Sequence, residues 1–258
     1  MILSKRVALD GVYLDELHDS IVIRGFDPGV TTETIQAANT MGGSGQRITG
    51  QHWETLEASV TFAIDISKRE MALRREVYDA VMTWASRKGW LTVDWLTGRR
   101  MYVDKVIFPS SGDMWAWTDE YTIGFRAYSV PFWQDSEPSI AANAAPSASG
   151  QLSLHIGGNV ESVVDAAFEN RSGAVINSFQ LAVNGNLLTI QSMGLAANET
   201  LTISHGTNGI LRIMAGSRSL YDKYTGADDL RVMPGTASVL FSAERAGILT
   251  VSSCGRWI

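Results

Sequence analysis

From residue 151 onward, short apolar runs recur at intervals of about 8 to 12 residues, the spacing of strands in an all-β domain. They read "LSLHI", "FQLAV", "LLTI", "TLTIS", "ILRIM", "SVLFS" and "ILTVS". Turn signals separate them. Asn184-Gly185 and Asn208-Gly209 suit tight hairpins, because both residue types tolerate positive φ. Pro234-Gly235 is a type II turn signal. No capped helix interrupts the series. The expectation is a β-sandwich over residues 151–258, with no internal repeat of fixed period.

The first 133 residues read differently. In "LEASVTFAI", residues 56–64, Leu56, Ala58, Val60, Phe62 and Ile64 alternate with polar positions, which predicts a half-buried strand. "SKREMALRREVYDAVMTWASRKG" predicts a helix. Ser67 and Glu70 have the spacing of a capping box, Leu73, Val77, Val81 and Trp84 form an apolar stripe, and Gly89 offers a left-handed stop. "WLTVDW" and "MYVDKVIF" flank "LTGRR" as a hairpin, and "MWAWTDEYTIGFRAY" reads as a long strand. "SIVIRG" is a shorter strand, and residues 36–50 form a polar, Gly-rich loop. The prediction is an α+β domain over 1–133, an antiparallel, barrel-like sheet with one helix.

Between the two textures lies "SIAANAAPSASG", mostly Ala, Ser, Asn and Pro. Residues 134–150 are expected to be a linker or loosely held crossover. The strand before it ends at Pro131, which lacks a backbone N–H, and is followed by Phe132 and Trp133. These two aromatics are expected to dock the departing chain at a domain junction. Trp115 and Trp117 share one face of a strand, and core and subunit interface are equally open for them.

Catalytic chemistry finds little support. The four histidines stand at 18, 52, 155 and 205, outside any metal-ligand spacing. There is no G-x-S-x-G, and the single cysteine, Cys254, reads as a small apolar filler. "MGGSGQ", residues 41–46, lacks the strand before and helix after that a phosphate loop needs, so a mobile loop is expected. Asp119-Glu120 and Asp228-Asp229 are sequence neighbours, which on a strand point to opposite faces and make no acid–base couple. The N-x-S/T matches at Asn170 and Asn198 have no use in a chain that is not secreted. Net charge is −6, divided as −3 in residues 1–133 and −3 in 134–258, so neither part has a basic excess for gripping phosphates. The N-terminal residues carry no apolar secretion segment, and no apolar run reaches the roughly 20 residues of a membrane span. No enzyme activity, cofactor or metal is expected.

The order of parts resembles that of the distal tail proteins of long-tailed bacteriophages, the baseplate hub of siphovirus-type tails. The resemblance rests on "YTIGFRAYSVPFWQDS" and on the helix followed by "GWLTVDWLTGRRMYVDKV". It rests also on "FENRSGAVINSFQLAVNGNLLTI" followed by "ANETLTIS", and on the ending "MPGTASVLFSAERAGILTVSSCGRWI". It implies a structural virion protein: a homohexameric ring, single or stacked, whose N-terminal domains continue the tail tube. The C-terminal domains would be galectin-like and hold tail-tip or receptor-binding proteins. DNA would pass through the lumen without specific binding. Such a protein resides in the phage tail and, during assembly, in the host cytoplasm. The alternative from another class is a carbohydrate-binding, lectin-like adhesion protein, since the same sandwich serves lectins.

Overall fold

The computed structural model describes residues 6–39, 46–108, 120–207, 209–227 and 230–258. Mostly antiparallel strands and a single α-helix make up these residues, in agreement with the predicted fold class. The chain divides into two compact units, residues 1–133 with Ile258, and residues 134–257.

In the first unit, one sheet orders its strands Ile21–Asp27, Leu56–Ile64, Tyr121–Ala127 and Lys105–Ile107. Leu56, Ala58, Val60, Phe62 and Ile64 are all buried, as their alternation predicted. A second sheet carries Val12–Tyr13, Val7–Leu9, Gly89–Val93 and Arg99–Val103 in that order. Its hairpin pairs Trp90 with Tyr102 and Leu91 with Met101, around a turn in which Gly98 has φ +76°. The helix Met71–Ala85 serves both sheets. Trp84 donates its indole N–H to the Val12 carbonyl at 2.8 Å and packs edge-on to Phe125 at 6.1 Å.

The helix differs from its prediction at three places. Val77, Val81 and Trp84 are buried, but Leu73 is 39% exposed and Arg74 is buried in its stead. Arg74 donates to the carbonyls of Ile64 at 3.1 Å and Ile66 at 3.0 Å, and to the Tyr121 hydroxyl at 3.3 Å. A guanidinium enters the core because fixed acceptors at and just beyond the end of the strand Leu56–Ile64, and on Tyr121, meet it there. The capping box is not formed. Ser67 Oγ accepts instead from the Arg69 amide, and Glu70 makes no side-chain cap bond. The helix ends at Ala85, so Gly89 opens the next strand rather than stopping the helix.

The polar stretch 36–50 also departs from its reading. Glu33–Asn39 and Gln46–Trp53 pair as a two-stranded antiparallel ribbon, with Ile35 and Ile48 exposed. Residues 41–45 of the Gly-rich segment lie outside the described residues. Alternation in this ribbon is polar with apolar on no buried face, so the sequence carries no strand signal there.

The second unit is built on Gly235–Ser253, a strand of 19 residues. Its first part pairs with Ser147–Ile156 on one side and Phe179–Val183 on the other. Asn186–Ile190 and Tyr224–Gly226 continue that sheet outward. Its last part pairs with Ser139–Ala142 and Asp165–Asn170, beyond which lie Thr200–His205, Leu211–Ala215 and Arg218–Ser219. All these strands form one ten-stranded sheet, and the two halves that meet along this strand enclose a common core. Phe168 of the second packs on Phe179 and Phe241 of the first, with ring centroids at 4.8 and 6.2 Å. The strand passes from one half of the sheet to the other at Gly247, where a Cβ would stand 2.3 Å from the Phe168 ring and 2.5 Å from the Glu169 carbonyl oxygen. The turn signal at Asn184-Gly185 holds, with φ of +48° and +92°.

The stretch 134–150 is not a loose linker. Ser139–Ala142 and the start of Ser147–Ile156 are paired strands of the second unit. Asn143 ties their connection down, accepting from the Leu249 amide and donating to the Gly247 carbonyl at 3.1 Å. Small residues occur here because the chain runs close to its neighbour. A Cβ at Gly150 would meet the Phe241 ring at 2.8 Å. Low apolar content reflects tight edge packing, not absence of structure.

Candidate interface residues

Of the four residues singled out from the sequence, Trp115 and Trp117 lie outside the described residues. Phe132 and Trp133 are each 4% exposed. Trp133 donates its indole N–H to the Pro28 carbonyl at 3.0 Å and meets Phe26 edge-on at 6.1 Å. Phe26 also meets Trp95 at 6.0 Å, and Phe132 packs edge-on to Trp53 at 5.2 Å. The aromatic exit is therefore anchored inside the first unit by rings from two separate segments, Phe26 and Trp53, with Trp95 behind Phe26. The tight turn that delivers it is closed by the Phe132 amide on the Val130 carbonyl at 2.8 Å.

Two residues on, the second unit begins with a clasp that sequence reading passed over. The Asp135 carboxylate accepts the Trp257 indole N–H at 2.8 Å and the Gly255 amide at 3.1 Å. The Asp135 amide donates to the Gly255 carbonyl at 2.9 Å. Gly158, at φ +103°, lies so close to the Arg256 carbonyl that a Cβ would be 2.3 Å from it. Only the late "CGRW" and early "WQD" taken together hint at this pairing, and nothing local links them.

Charged groups near this end are structural. Burial lowers the pKa of Arg256, and the charge of Arg231 acts in the same direction, against Glu161 and Asp165. Asp165 Oδ1 contacts His205 Nδ1 at 2.9 Å and accepts the His205 amide at 2.8 Å. The His205 side chain is only 2% exposed, and its Nε2 is buried without a hydrogen-bond partner. This imidazole stands at the end of the strand Thr200–His205. His18 rests on Ser20 at 2.8 Å, and His52 on Glu54 at 3.3 Å. Among the described residues no group of three His, Cys, Asp or Glu is arranged to hold a metal ion. Asp119, Asp228 and Asp229 lie outside those residues. No helix among them is long and apolar enough to cross a membrane.

Asn170 stands in an N-x-S match, yet it is fully buried. Its amide donates to the carbonyls of Ala174, Leu195 and Ala196 at 2.7, 3.0 and 3.0 Å, and its Oδ1 accepts from the Ser172 amide and hydroxyl. It is a structural bracket across two loops.

No protein-family model matches the sequence, and no curated protein matches it significantly. Solved structures do. The SPP1 Dit protein superimposes with a TM-score of 0.66 at 12% identity, covering 99% of this chain and 100% of that one. The chain has the Dit fold. SPP1 Dit is described as a paradigm of the hub adsorption apparatus in phages that infect Gram-positive bacteria. Two structures of the phage p2 baseplate in its activated conformation, with strontium and with calcium, match at TM-scores of 0.44 and 0.43 and 9% identity. The Dit fold accounts for both units together, since the alignment with SPP1 Dit runs through nearly all of each chain.

Proposed function

We propose that this chain is a distal tail protein, a structural hub between the tail tube of a phage and its adsorption apparatus. The carrying observation is the end-to-end correspondence with SPP1 Dit, at a TM-score of 0.66 over 99% of this chain. In this reading the first unit forms a hexameric ring around a channel for DNA. The second unit, a galectin-like sandwich, holds tail-tip or receptor-binding proteins, and the protein resides in the virion tail. Its work is assembly rather than catalysis. The acidic balance of the chain, −6 overall, suits a conduit, because a basic lining would grip phosphates with strong salt dependence.

Mass measurement of the purified chain by light scattering, followed by negative-stain imaging, tests the reading. Annular particles of six copies are expected, alone or on addition of the tail-tube protein. A monomer under both conditions that retains glycans on an array would instead identify a free carbohydrate-binding protein.

A further inference from the structure

At the end of its helix, the first unit carries a cleft of about 480 Å³. Its lining comes from the helix exit, Ala85 to Lys88, from the turn Val103 to Val106, and from Phe108 and Tyr128. Ala85 and Val103 are buried and form an apolar floor, while Phe108 and Tyr128 stand exposed above it. Three cations line it as well: Arg87, Lys88 and Lys105. None of them makes an ion pair among the described residues. The single carboxylate in the lining, Asp104, is already engaged by the amides of Tyr128 and Ser129 at 2.8 and 2.9 Å and by the Ser129 hydroxyl at 3.1 Å.

This is a local reversal of charge in a unit whose overall charge is negative. The carbonyls at the helix end account for cations at 87 and 88. They do not account for Lys105, which comes from a different element. Lys105 opens the strand Lys105–Ile107, the last in its sheet, which pairs with Tyr121–Ala127 on one side and has no strand on the other among the described residues. An open backbone edge, an apolar floor with two exposed aromatics, and a cationic rim occur together here. Edge hydrogen bonds supply affinity, a pocket for alternate side chains supplies selectivity, and the rim sets the charge of what enters.

The geometry points to a docking site for an acidic, extended peptide segment of a partner protein, added as a strand beside Lys105–Ile107 with one aromatic or large aliphatic side chain in the cleft. The site needs only the first unit's own surface and does not depend on the ring.

The test uses the full chain and a short fluorescein-labelled peptide alternating Glu and Thr around a central Phe, read by fluorescence anisotropy. Binding is expected, weakening as salt is raised. The double reversal Lys88→Glu with Lys105→Glu should weaken it at least tenfold, as should Phe108→Ala, with melting temperature unchanged. Arg212→Glu, a charge reversal in the second unit, should leave it as it was. N-methylation of alternate peptide amides should abolish binding, which simple charge attraction would not require. The proposal is overturned if the peptide does not bind, if its Lys-for-Glu counterpart or a single-stranded oligonucleotide binds as well, or if the reversal has no effect.

Discussion

Asp135 and Trp257, 122 positions apart in sequence, are joined by a hydrogen bond of 2.8 Å from the indole to the carboxylate. The same carboxylate accepts the Gly255 amide, so one side chain fastens the last residues of the second unit to its first. Replacing Asp135 by Ala leaves two part-buried donors without their acceptor. The expected loss is about 1–3 kcal/mol, visible as a lower urea midpoint at unchanged m-value. Trp257→Phe, which removes one donor and keeps the ring packing, should cost about half as much, near 1 kcal/mol.

Arg74 concerns the first unit. Its guanidinium satisfies the carbonyls of Ile64 and Ile66. Arg74→Met keeps most of the volume but removes those bonds and should destabilise by about 2–4 kcal/mol. Seven of the eight tryptophans lie in residues 1–133, so intrinsic fluorescence follows this unit selectively. The fluorescence transition should move to lower denaturant.

Trp133→Ala tests the anchored exit. The change removes the partner of the Pro28 carbonyl and the edge contact with Phe26. A loss of about 3–5 kcal/mol is expected for so large a buried truncation, measured as an earlier thermal transition. If the chain assembles as proposed, particle size by light scattering should fall as well. An unchanged melting curve would remove the anchoring role.

Two glycines separate steric from conformational cost. Gly247→Ala drives a methyl into the Phe168 ring and the Glu169 carbonyl, and should destabilise by about 2–3 kcal/mol. At Gly173 a methyl would have nothing within 4 Å, but φ is +72°, so Gly173→Ala should cost only about 1 kcal/mol. Equal effects at the two sites in urea titrations would contradict the close contact at Gly247.

Asn170→Asp would set a carboxylate against three carbonyl oxygens. In the folded variant the carboxyl is held above its unfolded pKa by burial and by those acceptors. The neutral acid is tolerated, so the penalty is smallest below about pH 4, near the unfolded value. It grows as pH rises through that value, until the pH reaches the raised folded-state pKa. Stability of the variant relative to the natural chain, followed by denaturant midpoints from pH 4 to 8, should decline across the series.

Much of this fold can be read from spacing alone. The strand Leu56–Ile64, the hairpin around Gly98 and the turn at Asn184-Gly185 all follow from alternation or from residues that accept positive φ. Reading failed where a distant partner decides. Leu73 and Arg74 exchange roles because the carbonyls of Ile64 and Ile66 and the Tyr121 hydroxyl supply what the guanidinium requires. Asn143 and Gly150 look like linker residues until the long strand is placed beside them. Asp135 and Trp257 carry no local signal, since each gains its meaning only from the other end of the unit.

The strand Gly235–Ser253 has a mechanical consequence. Since one strand runs through both halves of the same sheet, neither half can peel away while the other stays intact. Strain applied at one edge must travel through the shared backbone to the opposite layer. Such a module should yield as one unit under load.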